Sequence, residues 1–379
     1  MVDRIIQDGE AAPVESPQIM PASAESWSTG RRGSPGTDAA ETSLSSTGHP
    51  RRFLIALLVA GAALMLLVAA FNLVTDTTGL FGIGLFPPRV AQDRTLKADR
   101  LAALPAAPEL LIFGSSRGWQ AEASYVQGLT GRRTFNAAVT AGRASDAYVF
   151  TRLNRDLWPG TRPDYLWLLD VEAFQRGALA PSVLADARFR RYLPVRTRAE
   201  EMLGQADRLF SWRGLRESLS VWRTHPSWEK IEAGWRQRMA ADGTVTAKAD
   251  AEARVTPEKL SVWSAAARRR YRQFDSLSPD EQRYLEQTLA LFASWGGDGV
   301  IVLTPTQPQV LAALKEGDWQ QRHDDVLALL ERLGRRYHFT VVDLSSIESF
   351  GGSPEGFFDP FHMTRSNQRR MIEAALAAE

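Results

Sequence analysis

Two short stretches of this sequence carry the residue types of nucleophilic catalysis. The stretch LLIFGSSRGW, residues 110–119, ends an apolar run with two hydroxyl groups, Ser115 and Ser116. A serine hydroxyl is a weak nucleophile at neutral pH and needs a base, usually an imidazole that a carboxylate orients. The stretch EGFFDPFHMTRSNQ offers both groups, because Asp359 precedes His362 by three residues. On a turn, this spacing lets the carboxylate bind one ring nitrogen while the other nitrogen faces a hydroxyl.

The remaining histidines are poorer candidates for the base. They are His49, His225, His323 and His338. The first precedes a long apolar segment, the second lies in an irregular region, and the last two flank a predicted helix where packing or exposure explains them. For His362, packing beside an Asp-Pro turn is the structural alternative. A strand-end serine far upstream in an alternating α/β chain favours catalysis instead, so Ser116, His362 and Asp359 form the predicted catalytic set.

The position of GSSR indicates how a hydroxyl would be presented. The apolar run ending at Gly114 predicts a buried strand, and open parallel sheets bind ligands beyond the carboxyl ends of their strands. Glycine permits a sharp turn there, and a helix N-terminus beyond it would stabilise negative charge on a carbonyl oxygen. Gly-Ser-Ser alone is explained equally well as a turn with a helix cap. The catalytic prediction therefore depends on the downstream loop.

Alternating segments predict the fold class. Apolar runs indicate five strands, at Glu109 to Gly114, Thr134 to Val139, Tyr165 to Val171, Gly299 to Thr304 and Phe339 to Leu344. Helical patterns occur at Ser145 to Leu157, Pro279 to Trp295, Arg322 to Tyr337 and Ser366 to Ala378. This alternation predicts an α/β fold with three layers, in which helices cover both faces of a mainly parallel sheet.

A charged, arginine-rich region from about 175 to 275 interrupts that alternation and predicts a helical insertion. Five tryptophans lie in it: Trp212, Trp222, Trp228, Trp235 and Trp263. Tryptophans on amphipathic helices anchor packing more often than they stack on sugar rings. Packing is therefore the favoured interpretation, and glycan binding is the alternative.

The N-terminal part predicts a membrane anchor. Residues 53–74 form an apolar run about as long as the roughly 20 residues that a membrane-spanning helix needs, and longer than a signal-peptide core. It follows Arg31, Arg32, Arg51 and Arg52. The positive-inside rule then places the N-terminus in the cytoplasm and residues 75–379 outside. Residues 1–52 predict a disordered cytoplasmic tail, and DTTGLFGIGLFPPRV predicts an extended connector.

Composition excludes several function classes. The formal net charge is +1, from 45 basic and 44 acidic residues. The chain as a whole therefore has no excess of positive charge that would attract the phosphates of a nucleic acid. The absence of cysteine excludes disulfides, a thiol nucleophile and thiolate zinc sites. Neither GxxxxGK[ST] nor GxGxxG follows a strand, and no two histidines have ligand spacing. We expect no cofactor and no metal.

Together, FGSSR and DPFH resemble the first and last blocks of the SGNH (GDSL-like) hydrolase superfamily. The arrangement is most similar to its membrane-anchored bacterial branch, whose cell-envelope proteins O-acylate exopolysaccharides or act in teichoic acid D-alanylation. The tract FNLVTDTTGLF is similar to the segment that often follows the anchor there. The resemblance covers about residue 76 to the C-terminus without the insertion, and it implies a flavodoxin-like sheet.

The resemblance also implies roles for individual residues. Ser116 matches the nucleophile, His362 the base and Asp359 the orienting carboxylate. The amide of Gly142, in FNAAVTAGRASD, matches a donor to the oxyanion, together with the amide of Ser116. The third block usually adds an asparagine, but WLLDVEAFQ contains none; Asn136 and Asn154 are the available substitutes.

The function implied is acyl transfer or ester hydrolysis on acyl groups, expected to be O-acetyl groups, of an envelope or exported polysaccharide. The implied location is the bacterial inner membrane, with one span and a periplasmic domain, and an integral membrane acyltransferase is an implied partner. Two alternatives stay open. One is an inactive glycan-binding or scaffold protein of a biosynthetic complex, which the missing asparagine favours; the other is an esterase that is merely tethered.

Overall fold

The structure is a computed structural model that describes residues 50–88, 92–246 and 255–378. The predicted disordered tail, residues 1–52, lies outside the described residues except for its last three positions, and His49 lies outside them too. The strands and the helices that cover them belong to the unit Ala56–Glu379.

A parallel five-stranded sheet forms the centre of this unit, which confirms the predicted α/β class. Its strands are β1 (Leu110–Gly114), β2 (Thr134–Asn136), β3 (Asp164–Leu169), β4 (Gly299–Leu303) and β5 (Thr340–Asp343). They lie in the order β2-β1-β3-β4-β5, and every neighbouring pair is parallel. All five correspond to predicted strands, with bounds that differ by a few residues.

Helices surround the sheet and extend from it. They are α1 (Pro50–Thr75), α2 (Asp93–Ala102), α3 (Ala123–Thr130), α4 (Ala144–Leu157), α5 (Pro181–Ala185), α6 (Ala187–Arg190), α7 (Val195–Ala206), α8 (Trp212–Thr224), α9 (Trp228–Arg236), α10 (Pro257–Tyr271), α11 (Pro279–Trp295), α12 (Pro308–Lys315), α13 (Trp319–Gly334) and α14 (Arg365–Leu376). Short 3₁₀ turns lie at Ser116–Gly118, Val171–Phe174, Asp207–Phe210 and Ile347–Phe350.

Both faces of the sheet are buried, which explains why its strands are continuous apolar runs. Successive residues of a strand point to opposite faces. Leu111 and Phe113 therefore join a large core with α2, α4, α11 and α13, whereas Leu110 and Ile112 join a smaller core with α3 and α14. The observed layers are those that the alternating pattern predicts.

The region predicted as an insertion folds into the short helices α5 to α10 and packs against the main core. Phe189 of α6, Tyr271 of α10 and the following Phe274 are buried in the larger core. The packing interpretation of its tryptophans holds only in part, because Trp212 and Trp228 are exposed. Apolar character alone does not distinguish a tryptophan that faces protein from one that faces outward.

The predicted extended connector after the apolar helix is instead a compact turn. Asp76 has φ +41°, and its buried carboxylate accepts hydrogen bonds from the amides of Phe81 (3.1 Å) and Gly82 (2.8 Å). The amide of Leu85 returns to the carbonyl of Val74 at 3.1 Å. In an extended chain these backbone amides would bind water, whereas here the carboxylate of Asp76 accepts their hydrogen bonds. The Gly and Pro content of the segment, on which the prediction was based, does not reveal this role of Asp76.

Within the described residues, one helix is long and apolar enough to cross a membrane. It covers Arg51–Thr75 and includes the predicted span, residues 53–74. Its side chains from Phe53 to Leu67 are almost entirely uncovered by protein. An uncovered apolar surface of this length is typical of a helix that faces lipid.

Glu281 is a buried carboxylate that joins two helices of the larger core. It lies on α11 and accepts hydrogen bonds from the amide (2.9 Å) and hydroxyl (3.1 Å) of Ser145, in the first turn of α4. Burial raises the pKa of Glu281 to about 7. Because this value exceeds that of an unfolded glutamate, roughly 4.3, protonation stabilises the fold, and the contribution is lost as the pH rises through about 7.

We therefore predict that Glu281→Gln changes how stability depends on pH. Glutamine resembles the protonated acid, so the stability of the variant relative to the natural chain should rise between pH 5 and pH 8, by on the order of 2 kcal/mol. Thermal unfolding of both proteins at the two pH values measures this. Parallel pH profiles would show that Glu281 is not protonated preferentially in the folded state.

Candidate active site

Ser116 follows the interior strand β1, on a turn whose backbone leaves no room for a larger residue at Gly114. Gly114 has φ +154°, and a Cβ at this position would lie 2.7 Å from the carbonyl oxygen of Leu168 on β3. The hydroxyl of Ser115 then accepts from the amide of Arg117 at 3.1 Å and caps the 3₁₀ turn that begins at Ser116. The two serines therefore have different positions: Ser115 is buried in the cap, and Ser116 is partly exposed beyond the sheet.

The loop before α14 presents Asp359 and His362. One carboxylate oxygen of Asp359 accepts from the amides of Phe361 and His362, both at 2.9 Å, and this fixes the turn. The amide of Phe358 donates to the carbonyl of His362 at 3.1 Å. The loop is also attached to the segment after β4, because the amide of Gln307 donates to the carbonyl of Pro360 at 3.0 Å.

The structure brings the three predicted residues together. Nε2 of His362 lies 2.8 Å from Oγ of Ser116, although the residues are 246 positions apart. Nδ1 of His362 lies 2.6 Å from the second carboxylate oxygen of Asp359. Two different ring nitrogens are used, so the imidazole can accept the serine proton on one side while the carboxylate holds the other side.

The charge of Asp359 suits this role. Burial alone would raise the pKa of Asp359, but the hydrogen bond and charge of His362, together with two backbone amides, outweigh it and lower that pKa. Asp359 therefore stays ionised at neutral pH. An ionised carboxylate orients the imidazole and stabilises the imidazolium that forms when the serine proton is transferred.

Aromatic rings border the imidazole of His362 without sealing it. The ring of Phe358 is parallel to it within 8° at a centroid distance of 5.8 Å, and the ring of Trp119 lies 6.5 Å away. The His362 side chain retains 25% of its exposure. A substrate can thus reach the Ser116 and His362 pair, while the rings limit the orientations of the imidazole.

Arg117 is a positioning residue that the sequence analysis missed. Its buried guanidinium contacts Glu172 (2.7 Å) and Asp170 (3.4 Å) beyond β3, and it donates to Thr304 (3.2 Å) beyond β4. It also lies 4.5 Å from the ring centroid of Phe361, in the histidine loop. This one side chain therefore connects the turn at Ser116, two strand ends and the loop that carries His362.

The ion pair between Arg117 and Glu172 maintains both charges despite burial. Burial alone would raise the pKa of Glu172, but the charge of Arg117, together with hydrogen bonds and the charge of Arg270, outweighs it and lowers that pKa. The only sequence signal for this network was an arginine directly after the serines. Its acidic partners lie 53 and 55 positions downstream, and no local pattern links them.

Gly142 lies in the loop before α4, against the turn that joins β1 to Ser116. A Cβ here would lie 2.2 Å from the carbonyl oxygen of Gly114, so only glycine fits. Its amide donates to the carbonyl of Val139 at 3.0 Å. The oxyanion role of the Gly142 amide stays a prediction. In that role the amide would have to donate to the oxyanion instead of, or as well as, the carbonyl of Val139. The amide of Ser116 starts the 3₁₀ turn, where N-terminal amides have no partner within the turn.

Of the two asparagines considered as substitutes, Asn136 already makes other hydrogen bonds. The Asn136 amide nitrogen donates to the carbonyls of Gly118 and Ala121, each at 2.8 Å, and its oxygen accepts from the amide of Ala138. Asn136 therefore holds in place the segment from Gly118 to Ala121, which follows Ser116. Asn154 is buried near the C-terminal end of α4, roughly 15 Å along the helix from the end that follows Gly142. Neither side chain takes the place of the missing asparagine.

Helix α9 and the segment that follows it contact Trp119, next to His362. The amide of Val245 donates to the carbonyl of Trp119 at 2.9 Å. The ring of Trp235 meets the ring of Trp119 edge-on at 5.7 Å, and the guanidinium of Arg238 lies 6.0 Å from the Trp119 ring. The helical insertion thus supplies an aromatic and cationic border beside His362, which sequence patterns could not locate.

A second group of serine, histidine and aspartate lies on β5 and α13 and has a different geometry. Nε2 of His323 contacts both Asp343 (3.0 Å) and Ser345 (3.4 Å). Nδ1 on the other side of the ring lies 3.4 Å from Asp324. Asp343 is the nearer partner of Nε2 and, as a carboxylate, takes its proton. Nε2 therefore cannot accept a proton from Ser345. In the part of the chain that the structure describes, no group of three or more His, Cys, Asp or Glu residues could hold a metal ion.

No family model matches the chain, and no curated protein matches it. The chemistry is therefore inferred from the positions of the residues themselves.

Labelling with a fluorophosphonate, which reacts with activated serines, should distinguish the two serines. We predict that Ser116→Ala abolishes labelling and lowers stability by at most about 1 kcal/mol, because it removes one partly exposed hydrogen bond. Ser115→Ala should keep the labelling and lose about 1 kcal/mol of stability, because it removes the cap of the turn. Gel fluorescence and thermal unfolding measure the two effects. Labelling that survives in Ser116→Ala, or disappears only in Ser115→Ala, would place the nucleophile elsewhere.

Asp359→Asn should slow the labelling without unfolding the loop. The Asn oxygen can still accept from the Phe361 and His362 amides, but its NH₂ group would face Nδ1 of His362. The ring would then carry its proton on Nε2 and could not accept one from Ser116. We expect a labelling rate lower by about 10³- to 10⁴-fold, with the unfolding temperature as the control. A rate within a few-fold of the natural chain would rule out the orienting role.

Proposed function

We propose that this chain is a membrane-anchored serine acyltransferase or esterase of the SGNH (GDSL-like) type. Its substrates would be acyl groups, in particular O-acetyl groups, of a cell-envelope or exported polysaccharide. The observation that carries the proposal is the 2.8 Å contact between Oγ of Ser116 and Nε2 of His362, with Asp359 on the other ring nitrogen.

In the proposed mechanism, His362 removes the proton of Ser116 as Oγ forms a bond to the acyl carbonyl carbon. The amide of Ser116, and that of Gly142 after exchange of its partner, stabilise the oxyanion. The intermediate collapses, and the imidazolium gives its proton to the leaving oxygen or sulfur. A sugar hydroxyl or water then gives a proton to His362 and attacks the acyl-serine. Oγ leaves and recovers the proton, so that the enzyme is restored.

The topology supports the SGNH assignment. The strand order 2-1-3-4-5 is that of flavodoxin-like doubly wound folds, which bind ligands where the order reverses. Ser116 directly follows β1, whose neighbours β2 and β3 lie on opposite sides. The aspartate and histidine precede the final helix, as the resemblance to the last SGNH block implies.

The apolar helix α1 supports the proposed location. We place the chain in the bacterial inner membrane with one span, as the resemblance implies. The span follows Arg31, Arg32, Arg51 and Arg52, and the next basic residue after it is Arg89, which is the positive-inside pattern. The N-terminus would then be cytoplasmic and the catalytic domain periplasmic. In that position the domain could take acyl groups from an integral membrane acyltransferase.

A second candidate is a catalytically inactive protein that binds glycan or scaffolds a biosynthetic complex. Two observations favour it: no asparagine follows β3 in WLLDVEAFQ, and the Gly142 amide already donates to Val139. The aromatic border of Trp119 and Trp235 would serve either function, because sugar rings pack on aromatic faces.

The Ser116→Ala variant of the full chain distinguishes these functions. Cells that carry the variant at normal abundance should lose O-acyl groups from the envelope polysaccharide if the protein is catalytic. Unchanged O-acyl content would favour the binding role. With the purified chain, a chromogenic acetyl ester and a polysaccharide acceptor, acylated glycan indicates a transferase. Free acetate formed equally without acceptor indicates an esterase.

A further inference from the structure

The end of the apolar helix α1 is fixed to the amphipathic helix α8. The side-chain nitrogen of Asn72 donates to the carbonyl of Leu209 at 2.7 Å, just before α8. The indole NH of Trp222 donates to the hydroxyl of Thr75 at 3.1 Å. Asn72 and Thr75, on the last turns of α1, are buried by this packing. The position of α8 is therefore set by the end of the apolar helix.

One face of α8 is apolar and uncovered. Trp212, Leu215, Leu219 and Trp222 follow helical spacing and form a stripe along this face, which we call the α8 stripe. The side chain of Trp212 is 69% exposed, and those of Leu219 and Trp222 are 37% and 38% exposed. The side of the helix that faces the protein is formed instead by Gly214, Ser218 and Val221.

Exposed arginines lie next to this stripe. Arg213, Arg216 and Arg223 are exposed on α8, and one acidic residue, Glu217, pairs with Arg213 at 2.9 Å. An apolar stripe with tryptophan, bordered by arginine, is the composition of helices that lie in the membrane surface. There the tryptophan occupies the headgroup level, and arginine reaches lipid phosphates.

The turn after α1 enlarges the apolar surface. Ile83 and Leu85 are exposed, and the amide of Leu85 donates to the carbonyl of Val74 in the last turn of α1. The ring of Phe86 packs edge-on against Trp222 at 5.3 Å. Exposed apolar side chains thus gather at the end of the helix whose own surface faces lipid, and they continue that surface.

We propose that α8 lies in the outer headgroup region of the bilayer that α1 spans, with the α8 stripe towards the acyl chains. The inference depends on the proposed membrane span of α1 and does not depend on acyl transfer. The helix α9 follows α8 after three residues and places Trp235 beside Trp119. The contact of α8 with the membrane therefore also fixes the distance of these two rings, which lie beside His362, from the membrane. The domain is then held against the bilayer rather than tethered loosely above it.

The absence of cysteine allows a direct test with single cysteines in the full chain. Trp212→Cys and Leu219→Cys probe the α8 stripe. Thr224→Cys is the matched control, exposed on the same helix and roughly 120° around it from Trp212. Leu64→Cys, on the uncovered surface of α1, probes the membrane span. Each variant is labelled with an environment-sensitive fluorophore and reconstituted into phosphatidylethanolamine and phosphatidylglycerol vesicles, with or without bromine on the lipid acyl chains.

Labels at positions 212 and 219 should emit at shorter wavelength than the label at 224 and be quenched several-fold more by brominated lipid. Equal, weak quenching at 212, 219 and 224, with strong quenching at 64, would overturn the proposal while the span holds. Absence of quenching at 64 as well would overturn both the span and the proposal. Thermal unfolding of each variant verifies the fold, and fluorophosphonate labelling reports on Ser116 separately, so a failure of the catalytic proposal stays distinguishable.

Discussion

The contact between Oγ of Ser116 and Nε2 of His362 joins two parts of the chain that have no local reason to meet. A hydrogen bond of this kind contributes only about 1 kcal/mol to stability, too little to hold a loop against the sheet by itself. The loop is held by other contacts. Asp359 fixes its turn through backbone amides, Gln307 ties it to the segment after β4, and Phe361 packs on the guanidinium of Arg117. The geometry of the site is thus a property of the fold around it.

Around Ser116, backbone segments approach too closely for any side chain to intervene. Gly114 and Gly142 meet where a single Cβ would overlap a carbonyl oxygen, and Asn136 spans the remaining gap with hydrogen bonds to the carbonyls of Gly118 and Ala121. Arg117 then fills the space among the strand ends with a buried ion pair. Buried ion pairs are weak sources of stability, but removing one partner leaves an uncompensated charge. Such a network favours one arrangement of the site over its alternatives.

Much of the sheet and the grouping of Ser116, His362 and Asp359 were predictable from sequence, for different reasons. Strands buried on both faces are apolar throughout, so runs such as LLIF and GVIVL identify β1 and β4. Serine, histidine and aspartate were recognised as candidates because few residue types can act as a nucleophile, a base or an orienting carboxylate. Arg117 was not predictable as a positioning residue, because its role depends on acids that only the folded sheet brings near it. The turn at Asp76 and the outward position of Trp212 were missed, since both depend on which surface each residue faces.

The most direct test of the central claim is to trap the acyl group on the enzyme. The purified full chain is incubated briefly with an activated acetyl ester, quenched in acid, and examined by intact and peptide mass spectrometry. If Ser116 is the nucleophile that His362 activates, one acetyl group should appear on the peptide that contains Ser116, and none should appear there in His362→Gln. An acetyl group on another residue, or equal acetylation of Ser116 without the imidazole, would contradict the account.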